Sequence, residues 1–310
     1  MPVAIRPTGT SAGARPPVPF VVGVPRSGTT LLRLMLDAHP RLTIPPETYF
    51  VPDILRACSG GGATGEDVVD FLVSHERWSD FGLEPADLLR RLPRGVVSGA
   101  TALRAFYTAY AEENGKPRWG DKTPVYLKHM RRIEKGLPEA HFIHILRDGR
   151  DVALSVTRLL FGPDSVAEAA RRWVRKVRRA RSQAARLQHY TEVRYEDLVA
   201  DPDSTLRRVC EFIALRWHPA MLEYHRHASE RMQVIARERY REGRIPIPAG
   251  YGPRIHALAG QPPRADRVGR WRTEMRREDR EVYETIAGDL LAELGYQVGD
   301  RCGNRNLGRD

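Results

Sequence analysis

The stretch Pro19-Phe-Val-Val-Gly-Val-Pro-Arg-Ser-Gly28-Thr-Thr constrains this chain more than any other. A short apolar run leads into a loop bounded by Gly23 and Gly28. Leu31, Leu32, Leu34, Met35 and Leu36 then recur at helical spacing until Pro40 stops them. A strand, a glycine-bounded turn and a helix in that order make a cradle. Successive backbone N–H groups and the helix N-terminus face one point, and both favour an anion with several oxygens. The glycines keep the spacing of a P-loop, but Thr29 stands where a nucleotide kinase needs its lysine for the β and γ phosphates. The cation lies inside the loop instead, at Arg26.

Two more strand-to-helix units follow. His141–Leu146 is apolar and leads into Arg147-Asp-Gly-Arg and a helix through Val152 and Val156; Thr191–Arg194 precedes a helix announced by Asp201-Pro202, an N-cap and first-turn pair. Strands separated by helices predict an α/β domain with a parallel sheet and right-handed crossovers. The segments 64–75, 85–91, 100–114, 124–135, 164–187 and 278–293 read as helices. Within 164–187, Val174, Val177, Ala184 and Leu187 form an apolar stripe and arginines fill the rest, the pattern of a solvated amphipathic helix. Residues 1–18 read as a disordered tail and 296–310 as a C-terminal tail. The stretch 244–264 carries five prolines and three glycines, so it reads as a long loop, either a lid over a site or a surface excursion.

Composition bounds the rest. A chain of 310 residues, 41% apolar and 29% charged, suits one large α/β domain or two ordinary ones. No apolar run nears the roughly 20 residues a bilayer requires, and no signal peptide is read. Cys58, Cys210 and Cys302 suggest neither a disulfide framework nor a zinc site, and the histidines lack ligand spacing, so no metal is expected and a reducing cytoplasm is the expected compartment. The formal charge of +11 suits anionic ligands or nucleic acid, but no nucleic-acid reader motif is present. Nearly all the positive charge is arginine; lysine occurs only at 116, 122, 128, 135 and 176.

A second anion signal stands at the end of His141–Leu146, the edge where open α/β sheets bind ligands. A Walker B strand would end in an aspartate, whereas here Arg147 comes first. The residues alone allow a phosphate contact or a capping and ion-pair cluster. In this order the motifs resemble the sulfotransferases that use 3'-phosphoadenosine 5'-phosphosulfate (PAPS). Val22-Gly-Val-Pro-Arg-Ser-Gly-Thr-Thr-Leu, Leu36-Asp-Ala-His-Pro, Glu47 in Pro-Pro-Glu-Thr, Asp121-Lys122-Thr-Pro, Arg194-Tyr195-Glu-Asp-Leu and Gly269-Arg270-Trp271 look most like the tyrosylprotein sulfotransferase branch and its bacterial relatives, over residues 19–295. The resemblance implies a P-loop-like three-layer domain around a parallel sheet of about five strands. It implies PAPS as sulfuryl donor and 3',5'-bisphosphoadenosine (PAP) as product.

The resemblance also assigns roles. Glu47 is the base that takes the acceptor hydroxyl proton; Arg26 and Lys122 stabilise the transferring sulfuryl group and the leaving oxygen. Ser27, Gly28, Thr29 and Thr30 hold the 5'-phosphate, and Arg147 and Ser155, eight residues apart, the 3'-phosphate. Tyr195 lies against the adenine or in the core, Arg270 contacts the nucleotide, and Trp271 is core. Two positions depart from the protein-tyrosine branch: Tyr49 replaces an arginine after the Glu-Thr pair, and Gly269 replaces a serine. The expected acceptor is therefore a small hydroxylated molecule, with a tyrosine peptide second; no membrane or nucleic-acid partner is expected. A P-loop kinase and a basic nucleic-acid-binding protein are the competing classes.

Overall fold

In a computed structural model, residues 15–233, 239–241, 245–248 and 250–299 are described. The chain divides into two compact units, one formed by everything up to Arg147 together with Lys176–Ala265, the other by Asp148–Arg175 and the residues from Asp266 onward.

The first unit is built on parallel strands. β1 (Val18–Gly23), β4 (Asp121–Lys122), β5 (Ala140–Leu146) and β6 (Tyr190–Arg194) form one sheet in the order β4-β1-β5-β6. Every neighbour pair is parallel, with Val21 beside Lys122, Gly23 beside Ile145 and Leu146 beside Arg194. Among the described residues the sheet thus has four strands, against the about five expected. β2 (Leu42–Thr43) and β3 (Arg118–Trp119) pair with each other instead, and Gly120, against which Pro19 packs too closely for a Cβ, separates β3 from β4.

β1 and β5 are buried on both faces, which is why they read as unbroken apolar runs. Val18, Phe20, Val22 and Phe142 pack with Phe50, Phe106 and Tyr107 on one side. On the other, Val21, Ile143, Ile145 and Val193 pack with α1 (Thr29–Asp37) and with Leu198, Leu206 and Val209. α2 (Val51–Ala57), α3 (Gly65–Ser74), α4 (Pro85–Arg91), α5 (Gly99–Glu113) and α6 (Met130–Gly136) lie between β2 and β5 in the chain. The helix expected over 124–135 is split: Pro124–Lys128 is a tight 3-10 turn, and the α-helix resumes only after His129.

α7 (Gly149–Val156) starts in the second unit, and α8 (Val166–Ala184) runs from the second into the first. The buried stripe of α8 is Ala170, Trp173, Val177 and Ala180; of the expected stripe Val177 is fully buried, while Val174, Ala184 and Leu187 are half-buried. The tryptophan decides this, since it is the largest apolar side chain on the helix.

After α9 (Tyr195–Ala200), α10 (Pro202–Phe212) is capped by Asp201, which accepts from the Ser204 N–H. α11 (Ala228–Gln233) follows, then a short antiparallel pair, β7 (Arg239–Arg241) with β8 (Ile245–Ile247). The stretch expected as a plain loop from 244 to 264 contains β8, α12 (Tyr251–His256) and a 3-10 turn over Ala257–Gly260. Gly250, at φ 77°, caps α12, and Pro253 falls in its first turn, where a missing N–H costs nothing.

In the second unit, α13 (Trp271–Glu274) and α14 (Arg277–Glu293) join α7. Arg150, fully buried, ties the unit together. It donates to both carboxylate oxygens of Asp148 (3.0 and 2.8 Å), to Glu284 (2.6 Å) and to the Gln297 carbonyl (2.7 Å), and lies 3.5 Å from the Trp271 ring. Residues 296–299, expected as tail, are bonded here, and 300–310 lie outside the described residues.

Candidate active site

The loop after β1 is shaped for an anion. Arg26 (φ 74°) and Gly28 (φ 102°) both take the left-handed backbone, which turns the chain so that Ser27, Thr29 and Thr30 are buried at the start of α1. Only glycine suits position 28: a Cβ there would lie 2.4 Å from Cδ2 of Tyr195. Arg26, by contrast, carries a side chain in a conformation that costs a non-glycine residue of order 1–3 kcal/mol. The loop places that guanidinium at the expense of local strain.

Two neighbouring strands close in on the loop. Tyr195 opens α9 directly after β6; its ring sits beside Gly28 and beneath the Arg147 guanidinium, 4.2 Å from the ring centroid. Tyr195 is buried with the core on one side of the sheet and has its ring edge on the loop. Arg147, at the end of β5, also donates from Nη1 to the Arg26 carbonyl (3.2 Å). Asp148, the next residue, caps α7 and binds Arg150. The arginine therefore faces the loop, and the aspartate does the capping.

On the other flank, β4 places Lys122 beside Val21, two residues before the loop begins. Lys122 Nζ donates to Glu47 Oε1 at 2.5 Å, with 5% of the lysine side chain and 20% of the glutamate side chain exposed. Burial alone would raise the Glu47 carboxyl, but Lys122, then Arg77, then hydrogen bonds from Lys122 and Tyr49 bring it down to about 2. Burial pulls the Lys122 ammonium below its ordinary value, and Glu47 opposes that pull.

A chain of hydrogen bonds holds Glu47 in register. The Val51 N–H donates to the Tyr126 hydroxyl, which is 2.8 Å from the Thr48 hydroxyl; Thr48 in turn donates to Asp121 Oδ2, which also accepts from Tyr107. Its direction is fixed at both ends, by a backbone N–H that only donates and a carboxylate that only accepts. The Thr48 N–H donates to Thr123 Oγ1 (3.0 Å). Residues 47–51 and 121–126 are therefore clamped together.

Three charged or titratable groups escaped the sequence reading. Arg77 lies 5.6 Å from the Tyr49 ring, and Tyr49 donates to Glu47 Oε2, so this cation approaches Glu47 from a distant segment. Arg33, buried on α1, donates to the Ile44 carbonyl at 3.1 and 3.0 Å. His256, at the end of α12, places Nδ1 3.3 Å from Arg26 Nη1 and feels the charges of Arg26, Lys122, Glu47 and Arg33. No local pattern marks any of them.

Ser155 and Arg270 belong to the second unit. Ser155 is half-buried in the last turn of α7. Arg270 is engaged by both oxygens of Glu274 (2.6 and 2.5 Å). Asp151 accepts from the Gly269 and Trp271 N–H groups (2.8 and 2.9 Å), and Gly269 at φ 71° makes the turn, which accounts for glycine at that departure. Trp271 is core, as expected.

The first unit thus gathers Arg26, Ser27, Gly28, Thr29, Thr30, Lys122, Arg147 and Tyr195 at the carboxyl ends of parallel strands around β1, whose neighbours β4 and β5 lie on opposite sides, and Glu47 joins them through Lys122. That arrangement defines a P-loop-like α/β protein. The chain belongs to the sulfotransferase family, whose model matches residues 17–219.

It is 30% identical over 218 residues to protein-tyrosine sulfotransferase 1 of Danio rerio, covering 67% of this chain and 56% of that protein. It is 28% identical over 309 residues to nodulation protein NoeE of Sinorhizobium fredii, covering 91% and 66%. The chain spans about half the length of the protein-tyrosine sulfotransferases it matches. Among solved structures, the sulfotransferase domain of the Synechococcus PCC 7002 olefin synthase superposes with TM-score 0.56 at 22% identity, over 90% of this chain and 98% of that one. The sulfotransferase domain of the curacin biosynthetic pathway gives 0.58 at 20%, over 92% and 99%. Both share the fold.

Proposed function

We propose that this protein transfers a sulfuryl group from PAPS to a hydroxyl of a small-molecule acceptor by in-line displacement. One observation carries the reading: a phosphate loop with its cation at Arg26 rather than after the second glycine, flanked one strand away by the Lys122–Glu47 pair. Ser27, Gly28, Thr29 and Thr30 hold the 5'-phosphate through N–H and hydroxyl donors. Arg147 takes the 3'-phosphate, and Ser155 and Arg270 are assigned to the nucleotide on their motif spacing.

The acceptor oxygen attacks sulfur, the bridging oxygen leaves with the 5'-phosphate, and Glu47 receives the hydroxyl proton. Arg26 and Lys122 neutralise charge on the sulfuryl group and the leaving oxygen. A carboxylate held at about 2 is a poor base while Lys122 grips it. An incoming sulfuryl group competes for the ammonium, and as Lys122 turns to it Glu47 becomes more basic at the moment a base is needed. Tyrosine in a peptide is the second acceptor reading, favoured by the names of the relatives. Tyr49, in place of a cation, favours the small molecule.

Calorimetric titration with PAP, without metal, beside ATP with Mg2+, on the wild type and Arg147→Ala, tests the reading. Metal-free PAP binding that the substitution weakens supports it. Binding of Mg-ATP with no preference for PAP overturns it in favour of a kinase.

A further inference from the structure

The chain returns to its phosphate loop from 230 residues away to place one imidazole there. Arg26 Nη1 lies 3.3 Å from His256 Nδ1. A guanidinium has N–H donors only, so the ring nitrogen facing it must offer its lone pair, and the proton of the neutral ring is then on Nε2. The surroundings agree with a neutral ring: burial, then Arg26 and Lys122, push the imidazole down to about 3, against a smaller upward pull from Glu47.

The long Arg26 side chain springs from a left-handed backbone position, and Arg147 donates to its carbonyl. A cation that is to stabilise developing charge is effective when its orientation is set before the substrate arrives.

We propose that His256 is a positioning residue for Arg26: as the Nε2–H tautomer it accepts the Arg26 hydrogen bond and holds the guanidinium for the sulfuryl group of the donor. The proposal rests on the sulfotransferase reading above. It gives α12 a purpose, since this short helix, inside a stretch that reads as loop, ends on the histidine.

PAPS and PAP differ by the sulfuryl group alone, so their affinities measured side by side separate the two ideas. His256→Ala is expected to bind PAPS about tenfold more weakly, as for one lost charge-assisted hydrogen bond, with PAP affinity unchanged. His256→Asn, whose Oδ1 falls close to the Nδ1 position and accepts, is expected to retain most of the PAPS affinity. Equal PAPS affinity in all three proteins overturns the proposal. So does a loss of PAP affinity in both variants, which marks a purely structural role. A wild type that binds neither ligand overturns the sulfotransferase reading and this one with it. Nitrogen-15 spectra of histidine-labelled protein at neutral pH read the tautomer directly; a doubly protonated or Nδ1–H ring at 256 contradicts it.

Discussion

In the proposed transfer Glu47 accepts a proton, while an ammonium 2.5 Å away holds its carboxyl at about 2. Removing the ammonium as Lys122→Met is expected to raise the Glu47 titration, because burial then acts without its main opposing charge. Carbon-13 titration of the carboxyl reads this, and turnover is expected to fall about 10²- to 10³-fold, the usual cost of one transition-state donor. The same pair bears on stability. The folded value lies below the ordinary 4.5, so ionised Glu47 favours the folded state, a contribution full above about pH 4.5 and lost as pH falls toward about 2. Glu47→Gln is therefore expected to be less stable than wild type by about 1–3 kcal/mol at pH 7. The gap in urea midpoints should narrow between pH 4.5 and 2.5; a constant gap would show that the ion pair does not form in solution.

β4 and the segment from Thr48 to Val51 act as one element because Asp121 terminates the hydrogen-bond chain between them. Thr48→Val removes the middle link and leaves Asp121 and Tyr126 each one partner short, an expected loss of about 1–3 kcal/mol in a denaturant titration. Asp121 bears on pH with the opposite sign from Glu47. Burial raises it to about 6 against hydrogen bonds from Thr48, Tyr107 and Thr123. Between the ordinary 3.8 and about 6 the folded state binds more protons than the unfolded one, so this contribution to stability decreases as pH rises through that window. Asp121→Asn is expected to flatten that part of the wild-type profile; an unchanged slope would place the titration elsewhere. These elements were partly legible in the sequence. β1, its glycine loop and α1 declare themselves because strand, turn and helix signals are local, and the Pro-Pro-Glu-Thr and Asp-Lys-Thr-Pro motifs could be matched to a family. That the two motifs bond to each other could not be read, since their contact is set by the β1–β4 register. Arg77 and His256 were invisible for the same reason: nothing within a few residues of either indicates a return to the loop, and Pro253 in the first turn of α12 looks, in sequence, like a break.

Across the whole molecule, a charge of +11 spread mostly over arginine looks like a surface for polyanions, yet the structure engages many of these cations. On α8, Arg172 pairs with Glu168 and Arg181 with Glu192. Others are internal ties, and Arg150 is the clearest, since its ion-pair partners Asp148 and Glu284 and its stacking partner Trp271 all lie in the second unit. Its role differs in kind from that of Arg147, three residues earlier in the same motif, which faces the phosphate loop in the first unit. Arg147→Ala should therefore weaken nucleotide binding with little change in stability, whereas Arg150→Ala removes the cation shared by the buried Asp148 and the half-buried Glu284, which keeps Arg280, at an expected cost of about 3 kcal/mol. Amide exchange gives that cost an address. Protection should fall first in α7 and α14, which carry the stranded carboxylates or adjoin them, while β1 and β5 keep theirs. If Arg150→Ala instead lowers protection equally in the sheet and in α14, the two units do not open separately, and the division of labour between the two arginines is one of binding alone.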